Sequence, residues 1–226
     1  MQQITGKTSL TGLLGSPVAH SISPLMHNFS FQHLGIDWVY LCFDVKEEGL
    51  EDAVKGLRTL QVKGFNLTMP DKNRILEYLD ELSPAARLIG AVNTVENKEG
   101  HLIGHNTDGI GFMRSVEEQG IQMKGKSMTL LGMGGAATAI CAQAALDGVE
   151  AIHIFAREGS SHRQRMETLI SELGKITACK IEIQDIGNKQ KLGEAMRESK
   201  LLVNATSVGM APHTEECLIP DASFLH

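Results

Sequence analysis

The stretch Thr129-Leu-Leu-Gly-Met-Gly-Gly-Ala-Ala-Thr138 decides the fold of this chain. Its apolar run breaks into glycines and then resumes as Ala-Ile-Cys-Ala-Gln-Ala-Ala-Leu, which predicts a buried strand, a tight turn and a helix start. Gly132, Gly134 and Ala137 occupy the G-x-G-x-x-G/A positions of a dinucleotide-binding turn, where backbone N–H groups meet a pyrophosphate. The pattern also fits a glycine-rich turn that holds no ligand, so its meaning depends on the residues around it.

The residues after this turn predict a complete βαβ unit. A helix ends near Gly148, and the run 151–156 forms the next strand. In NAD-binding sites the end of that strand carries Asp or Glu for the ribose 2′-hydroxyl, whereas here it reads Ala-Arg-Glu. Arg157 therefore favours a 2′-phosphate and NADP, with Ser160 and Ser161 as further hydroxyl donors. The carboxylate of Glu158 could instead accept a ribose hydroxyl and permit NAD.

The rest of this half continues the α/β alternation. Helices are expected over 163–173 and 189–198, and strands over 180–184 and 201–205. Thr206 and Ser207 follow the last strand. They are expected at the carboxyl end of the sheet, facing the same crevice as the glycine turn.

Composition and charge limit the classes of function that the chain can have. The chain has 226 residues, of which 42% are hydrophobic and 21% charged, which is typical of a globular protein long enough for two modest domains. The formal net charge is −6 and the sequence has no basic tract, so nucleic acid and anionic membranes are not expected partners. Neither a membrane-spanning run nor the hydrophobic core of a signal peptide is present, and we expect a cytoplasmic protein.

Metal and disulfide chemistry is not expected. The four cysteines lie far apart without a C-x-x-C pair, which argues against zinc and against a disulfide framework, and fits a reducing cytosol. Several histidines flank the segments singled out below, but none has the company of further metal ligands: His20, His27 and His105.

The first polar loop of the chain suggests an anion-binding helix end. A strand over 9–14 leads into Gly15-Ser-Pro-Val-Ala-His-Ser-Ile-Ser-Pro24. Ser23 followed by proline predicts an N-cap and a helix that runs to about Gly35. The hydroxyls of Ser21 and Ser23 would then lie beside a positive helix end, suited to a carboxylated or polyhydroxylated small molecule. Plain capping is the alternative for Ser23.

A βαβ rhythm follows. The run 38–45 predicts a strand buried on both faces, and 47–60 has helical spacing. A strand from Gly64 ends at Pro70-Asp-Lys72, and a further helix is expected over 73–82. Asn66, Thr68 and Lys72 would therefore lie beyond the carboxyl end of a strand, where open α/β sheets bind ligands. The positive start of the helix would make Lys72 a better proton donor, although a solvated surface lysine is the alternative.

The last part of this half predicts a capped helix, a hairpin and a connecting helix. Ser83 caps a short helix to residue 89, and the polar turn 96–100 joins two strands into a hairpin. Asp108 is expected to cap a helix that runs to Gln119 and bridges two domains; capping alone would explain an aspartate there.

Six motifs in order, covering nearly the whole chain, resemble the shikimate dehydrogenase family. They are Gly15-Ser-Pro-Val-Ala-His-Ser-Ile-Ser-Pro24, Gly64-Phe-Asn-Leu-Thr-Met-Pro-Asp-Lys72, Gly90-Ala-Val-Asn-Thr94, Asn106-Thr-Asp-Gly-Ile-Gly111, Gly132-Met-Gly-Gly-Ala136 and Asn204-Ala-Thr-Ser-Val-Gly-Met210. The resemblance implies an α/β fold with a mostly parallel N-terminal substrate domain, residues 1–109, and a Rossmann-type NADP domain, residues 110–226. It implies reversible reduction of 3-dehydroshikimate to shikimate, a step toward chorismate and the aromatic amino acids.

The resemblance also assigns roles to individual residues. Ser21 and Ser23 would hold the substrate carboxylate, and Asn66, Thr68, Asn93 and Asp108 would bind its hydroxyls. Lys72 and Asp108 would form the catalytic dyad. The residues implied for the cofactor are Gly132, Gly134, Gly135, Ala136, Arg157, Thr206 and Ser207.

The chain departs from the family pattern at three places. Asp71 replaces the histidine that commonly precedes the catalytic lysine, and the sequence alone does not give the sign of its effect. Ala156-Arg-Glu replaces a frequent Asn-Arg-Thr, which keeps Arg157 but argues against strict use of NADP and resembles the quinate/shikimate branch of the family, which uses either nucleotide. The sequence ends at His226, before the strand, the glutamine contact and the helices that return to the first domain in the family, so we expect those pieces to be absent.

Two other functions remain open from the sequence. One is a quinate/shikimate dehydrogenase that uses NAD or NADP, and the other is a catalytically silent dinucleotide-binding or regulatory protein. The expected assembly is a monomer or homodimer.

Overall fold

The structure is a computed structural model that describes residues 3–219, 221 and 224. It divides into two compact units, Met1–Thr107 and Asp108–His226. This boundary follows residue 107, whereas the sequence suggested one after residue 109.

The first unit is built on one mixed sheet. Its elements are β1 (Ser9–Gly15), α1 (Ser23–Leu34), β2 (Trp38–Asp44), α2 (Leu50–Thr59), β3 (Gly64–Leu67), β4 (Glu81–Leu82), α3 (Pro84–Ile89), β5 (Thr94–Lys98) and β6 (His101–His105). The strand order is β2-β1-β3-β5-β6-β4. Among the described residues, the β1–β2, β1–β3 and β4–β6 pairs are parallel, and the β3–β5 and β5–β6 pairs are antiparallel. Short 3-10 helices span Glu47–Gly49 and Arg74–Tyr78.

The core of this unit lies between α2 and the sheet. Leu50, Val54 and Leu57 recur at helical spacing on α2 and are buried, so this face packs toward the strands. Phe65 and Leu67 of β3 belong to the same apolar cluster. The packing fixes β3, whose carboxyl end carries several of the predicted site residues.

Two predicted elements of this unit are confirmed. Ser83 caps α3, since its hydroxyl accepts a hydrogen bond from the N–H of Ala86 at 3.2 Å. The predicted hairpin is β5–β6, paired from Thr94↔His105 to Lys98↔His101.

The prediction of a helix over 73–82 was wrong. The chain forms the 3-10 helix Arg74–Tyr78 and then extends into β4. The neighbouring edge of β6 accounts for the extension, because the N–H of Asp80 donates to the carbonyl of Leu102 at 3.0 Å and the N–H of Ser83 donates to the carbonyl of Gly104 at 2.9 Å. Backbone pairing with a strand replaces the hydrogen bonds of a helix here.

The predicted strand at 38–45 is confirmed as β2, Trp38–Asp44, but the prediction that it is buried on both faces was wrong. β2 lies at the edge of the sheet, and Tyr40 is its one fully buried residue. An edge strand pairs on one side only, so an apolar run does not guarantee burial. The N-cap prediction for Ser23 was wrong as well, because Ile22 holds that position and Ser23 is the first helical residue.

The elements of the second unit are α4 (Asp108–Glu118), β7 (Ser127–Leu131), α5 (Gly135–Leu146), β8 (Ala151–Ala156), α6 (Arg163–Ile176), β9 (Lys180–Asp185), α7 (Lys189–Glu198) and β10 (Leu201–Asn204). In the described residues its strands form one parallel sheet with the order β10-β7-β8-β9. The predicted α/β alternation is confirmed. The chain adds β8 and β9 on one side of β7 and β10 on the other, which makes a topological switch point at the end of β7.

Candidate active site

The glycine turn between β7 and α5 has a backbone that requires glycine. Gly132 has φ +107°, and a Cβ there would lie 2.9 Å from Thr206 Cγ2 and 3.0 Å from the carbonyl oxygen of Ala205. Around Cβ positions built on Gly134 and Gly135, no described atom lies within 4 Å. The turn therefore has open space around Gly134 and Gly135, where α5 begins and where an anion at a helix N-terminus would bind.

A cavity of about 480 Å³ lies against this turn, within the second unit. Five of the predicted cofactor residues line it: Gly132, Gly134, Arg157, Thr206 and Ser207. Gly135 and Ala136 do not line it, although they form the first turn of α5. Other lining residues were not predicted from the sequence, among them Met133, His162 and Glu216. His162 directly precedes α6, and this position at a helix start could have indicated it as a site residue. Glu216 lies after β10, and no sequence motif indicates it.

Arg157 and Glu158 line different hollows. Arg157 shares the 480 Å³ cavity with Ser160 and His162, which are hydrogen-bond donors. Glu158 lines a neighbouring depression together with Arg163 and Asp185. The cation is thus on the side of the glycine turn, and the carboxylate that would favour NAD is not among that cavity's lining residues.

The segment after β10 is tied to the glycine turn. Asn204 Oδ1 accepts hydrogen bonds from the N–H of Thr206 at 3.0 Å and from its hydroxyl at 2.7 Å. The N–H of Ala205 donates to the carbonyl of Leu131 at 2.9 Å. These bonds hold Thr206 against Gly132, on the opposite side of the switch point from Arg157.

In the first unit, a polar cluster gathers at the edge of the sheet where β3 ends and β5 begins. Asn66 Nδ2 donates to Thr94 Oγ1 at 3.0 Å and to the carbonyl of Asn93 at 3.1 Å. Asn93 Oδ1 accepts from the N–H of Thr107 at 3.0 Å, and Asn93 Nδ2 donates to Thr107 Oγ1 at 3.0 Å. The structure thus brings the predicted Asn66 and Asn93 together and adds Thr94 and Thr107, which were not predicted from the sequence.

Thr68 and Lys72 belong to a turn tied to the same edge. The N–H of Thr68 donates to the carbonyl of Leu14 at 2.9 Å, and the N–H of Val92 donates to the carbonyl of Lys72 at 2.8 Å. Lys72 is half-buried. The prediction that the positive start of a helix makes Lys72 a better proton donor was wrong, because the turn leads into a five-residue 3-10 helix and not into an α-helix.

Asp71 belongs to this turn, since its N–H donates to the carbonyl of Thr68 at 3.1 Å, and it is fully buried. Neither of its carboxylate oxygens has a hydrogen-bond partner among the described residues. Burial, and secondly the charge of Glu47, raise the pKa of Asp71 above its usual value, while Arg74 opposes the shift. Arg74 Nη1 lies 2.7 Å from Glu47 Oε2, so these two charges largely offset each other. Burial without a hydrogen-bond partner in the described part of the chain therefore makes ionisation of Asp71, the residue before Lys72, less favourable than it is in water.

The remaining predicted residues lie at two helix starts. Ser21 and Ser23 are half-buried at the beginning of α1, where the hydroxyl of Ser21 accepts a hydrogen bond from the N–H of Ser23 at 3.2 Å. Asp108 is the first residue of α4 and of the second unit. The pairing of Asp108 with Lys72 stays a prediction.

Comparisons with known proteins identify the family. Residues 13–95 match the domain described as shikimate dehydrogenase substrate binding domain. The chain is 48% identical over 224 residues to a shikimate dehydrogenase (NADP(+)) of Listeria monocytogenes serotype 4b (strain F2365), covering 99% of this chain and 77% of the relative. This chain belongs to the shikimate dehydrogenase family.

Solved structures of the family agree with this assignment. A crystal structure of shikimate 5-dehydrogenase from Listeria monocytogenes, in complex with shikimate and NAD, has a TM-score of 0.95 at 48% identity and covers 100% of this chain and 78% of its own. Quinate dehydrogenase from Corynebacterium glutamicum, in complex with NAD, has a TM-score of 0.83 at 29% identity, with 96% and 77% covered. No helix in the described part of the chain has the length and apolar character to span a membrane.

Proposed function

We propose that this family member catalyses the reversible, NADP-dependent reduction of 3-dehydroshikimate to shikimate. The glycine turn at the switch point carries the proposal, because the cavity against it is lined by Gly132 and Gly134 at a helix start and by the cation Arg157, which are groups that bind a phosphorylated dinucleotide. The identity of 48% to a shikimate dehydrogenase (NADP(+)) supplies the substrate class.

The residues of the second unit fit NADP. The N–H groups at the start of α5 would bind the pyrophosphate, with Gly132, Gly134, Gly135 and Ala136 forming the turn. Arg157, helped by Ser160, would bind the 2′-phosphate. Thr206 and Ser207 also line this cavity and would contact the rest of the nucleotide.

Residues of the first unit would bind and orient the substrate. We propose that Ser21 and Ser23 hold its carboxylate and that Asn66, Thr68 and Asn93 bind its hydroxyls. All five carry neutral polar groups, and Asn66 and Asn93 are held in one network by Thr94 and Thr107. A network whose members are fixed by one another binds with little loss of conformational freedom.

The proton is handled by Lys72 and Asp108 in this proposal. NADP, when bound, supplies the hydride for the ring carbonyl or accepts it in the reverse direction. The carbonyl oxygen then needs a proton, which the ammonium of Lys72 donates, and in the reverse direction the neutral amine accepts it. The carboxylate of Asp108 would orient the ammonium and stabilise its charge.

Quinate oxidation with NAD is the second candidate. The observation in its favour is that a quinate dehydrogenase in complex with NAD has the same fold at a TM-score of 0.83. Glu158, one residue beyond Arg157, is the group that would accept a ribose hydroxyl. Its position in a different hollow from the glycine turn argues for NADP as the preferred nucleotide.

The experiment is a turnover assay with both substrates and both nucleotides. The full chain is incubated with shikimate or quinate and with NADP or NAD, and the absorbance of the reduced nicotinamide is followed. We expect the highest kcat/KM for shikimate with NADP. Higher kcat/KM for quinate with NAD would favour the second candidate, and nucleotide binding by calorimetry without turnover of either substrate would favour a silent binding protein.

We further propose a cytoplasmic location and a monomeric or homodimeric assembly. The four cysteines, Cys42, Cys141, Cys179 and Cys217, are free thiols, which fits a reducing compartment. Sedimentation of the purified chain would distinguish the two assemblies.

A further inference from the structure

Tyr40 is buried on a strand that is otherwise only partly covered. β2 is an edge strand, yet Tyr40 is 2% exposed. Its ring belongs to a small apolar cluster with Leu13 and Val18. The register pairs Thr11 of β1 with Tyr40 of β2, and Leu13 of β1 with Asn66 of β3. The Tyr40 side chain therefore reaches across the central strand, and its hydroxyl donates to Asn66 Oδ1 at 2.8 Å.

Helix α1 holds Tyr40 in this place. Asn28 Oδ1 accepts from the N–H of Tyr40 at 2.8 Å, and Asn28 Nδ2 donates to its carbonyl at 2.9 Å. The imidazole of His27 stacks on the phenol ring, with ring centroids 4.2 Å apart and planes inclined by 15°. Burial raises the pKa of Tyr40 far above its usual value and lowers the pKa of His27. The phenol thus keeps its proton and remains a donor to Asn66.

The bonds around Asn66 fix the orientation of its side-chain amide. Both Nδ2 hydrogens are used, one by Thr94 Oγ1 and one by the carbonyl of Asn93. The Tyr40 hydroxyl uses one of the two lone pairs of Asn66 Oδ1. The remaining lone pair of Oδ1 can accept a hydrogen bond, so Asn66 in this orientation recognises a hydroxyl donor and not a carbonyl acceptor.

We propose that Tyr40 is a positioning residue that fixes the Asn66 amide, so that the site selects a substrate hydroxyl through Asn66 Oδ1. The inference rests on the proposed function, because it takes Asn66 as a substrate contact. It also connects α1, which begins at the predicted carboxylate-binding serines, with the polar cluster at the end of β3.

The test compares Tyr40→Phe with Tyr78→Phe, the same substitution at the other tyrosine of the chain. Loss of one buried hydrogen bond is expected to raise the KM for shikimate about 3- to 10-fold in Tyr40→Phe. The kcat and the KM for NADP should stay within about 2-fold of the wild type, because neither the proton donor nor the nucleotide cavity is altered. Tyr78→Phe should leave all three constants unchanged.

Substrate analogues provide a second measurement, whose result would not change in Tyr40→Phe if Tyr40 had only a structural role. Wild type should bind one of the monodeoxy analogues of shikimate more weakly than shikimate, and Tyr40→Phe should lose most of that discrimination. Thr94→Val removes another support of the same amide and should also raise the KM for shikimate, which keeps the test decisive should Tyr40→Phe fold poorly. An unchanged KM in the folded variants, or equal discrimination in Tyr40→Phe and wild type, would overturn the inference. Absence of shikimate turnover in the wild type would instead refute the proposed function.

Discussion

Arg157→Gln tests the nucleotide preference. The variant keeps a polar side chain but removes the cation that lines the cavity beside the glycine turn. A hydrogen bond to a charged group contributes about 1.5–3 kcal/mol, and Arg157 is exposed, so screening by water and salt favours the lower end. About 1.5–2 kcal/mol corresponds to a fall of roughly 10- to 30-fold in kcat/KM with NADP.

The same substitution should change kcat/KM with NAD little, because NAD has no 2′-phosphate. We expect a change within the ±0.5 kcal/mol that is typical of exposed substitutions, which is a factor of about 2. Steady-state kinetics of shikimate oxidation with each nucleotide measures both values. Arg163→Gln is the matched control, since Arg163 is exposed, pairs with Glu167 at 2.9 Å and lines the other hollow. An equal fall with both nucleotides, or no fall with NADP, would refute the reasoning.

Two further predictions concern stability. Gly132→Ala places a Cβ 3.0 Å from a carbonyl oxygen at φ +107° and should lower the free energy of unfolding by about 1–3 kcal/mol. The control Gly174→Ala, at an exposed position on α6, should raise it by about 0.5–1 kcal/mol. Urea unfolding measures both values, and equal effects of the two substitutions would contradict backbone strain at Gly132. The second substitution, Asp71→Asn, should be more stable than wild type at neutral pH. The pKa of Asp71 is higher in the folded than in the unfolded chain, so ionisation of its carboxyl lowers the free energy of unfolding, and asparagine does not ionise. That difference should be absent below the ordinary aspartate pKa of 3.8 and should grow as the pH rises through the folded-state value, which unfolding curves at several pH values would show; a pH-independent difference would contradict it.

The second unit could be predicted closely from its sequence. β8 and α7 have the bounds that the hydrophobic pattern indicates, because buried parallel strands and amphipathic helices leave strong periodic signals. The glycine turn has a pattern with one geometric reason for each glycine. Arg157 could be placed at the cavity because the end of the second strand of a βαβ unit has a known position relative to that turn.

The first unit was harder to predict, since its sheet is mixed and its long-range pairing overrides local pattern. Residues 79–82 are extended because they pair with β6, and the residue pattern within the segment does not indicate that it pairs with another strand. Tyr40 sits inside an apolar run that gives no sign of its bond to Asn66, which lies 26 residues further along the chain. The effect of Asp71 could not be signed from sequence either, because its sign depends on burial, which only the folded chain defines.

Lys72 of the first unit is the proposed proton donor, whereas the proposed nucleotide site lies in the second unit, and Lys72→Ala tests this division most directly. General acid–base catalysis contributes about 10²- to 10⁴-fold, so kcat for shikimate oxidation should fall by at least about 100-fold. Calorimetry should find the Kd for NADP within about 2-fold of the wild type, because the cavity of the second unit is unaltered. The matched control is Lys63→Ala, an exposed lysine just before β3, and it should keep full activity. A Lys72→Ala enzyme that turns over shikimate at the wild-type rate would contradict the account.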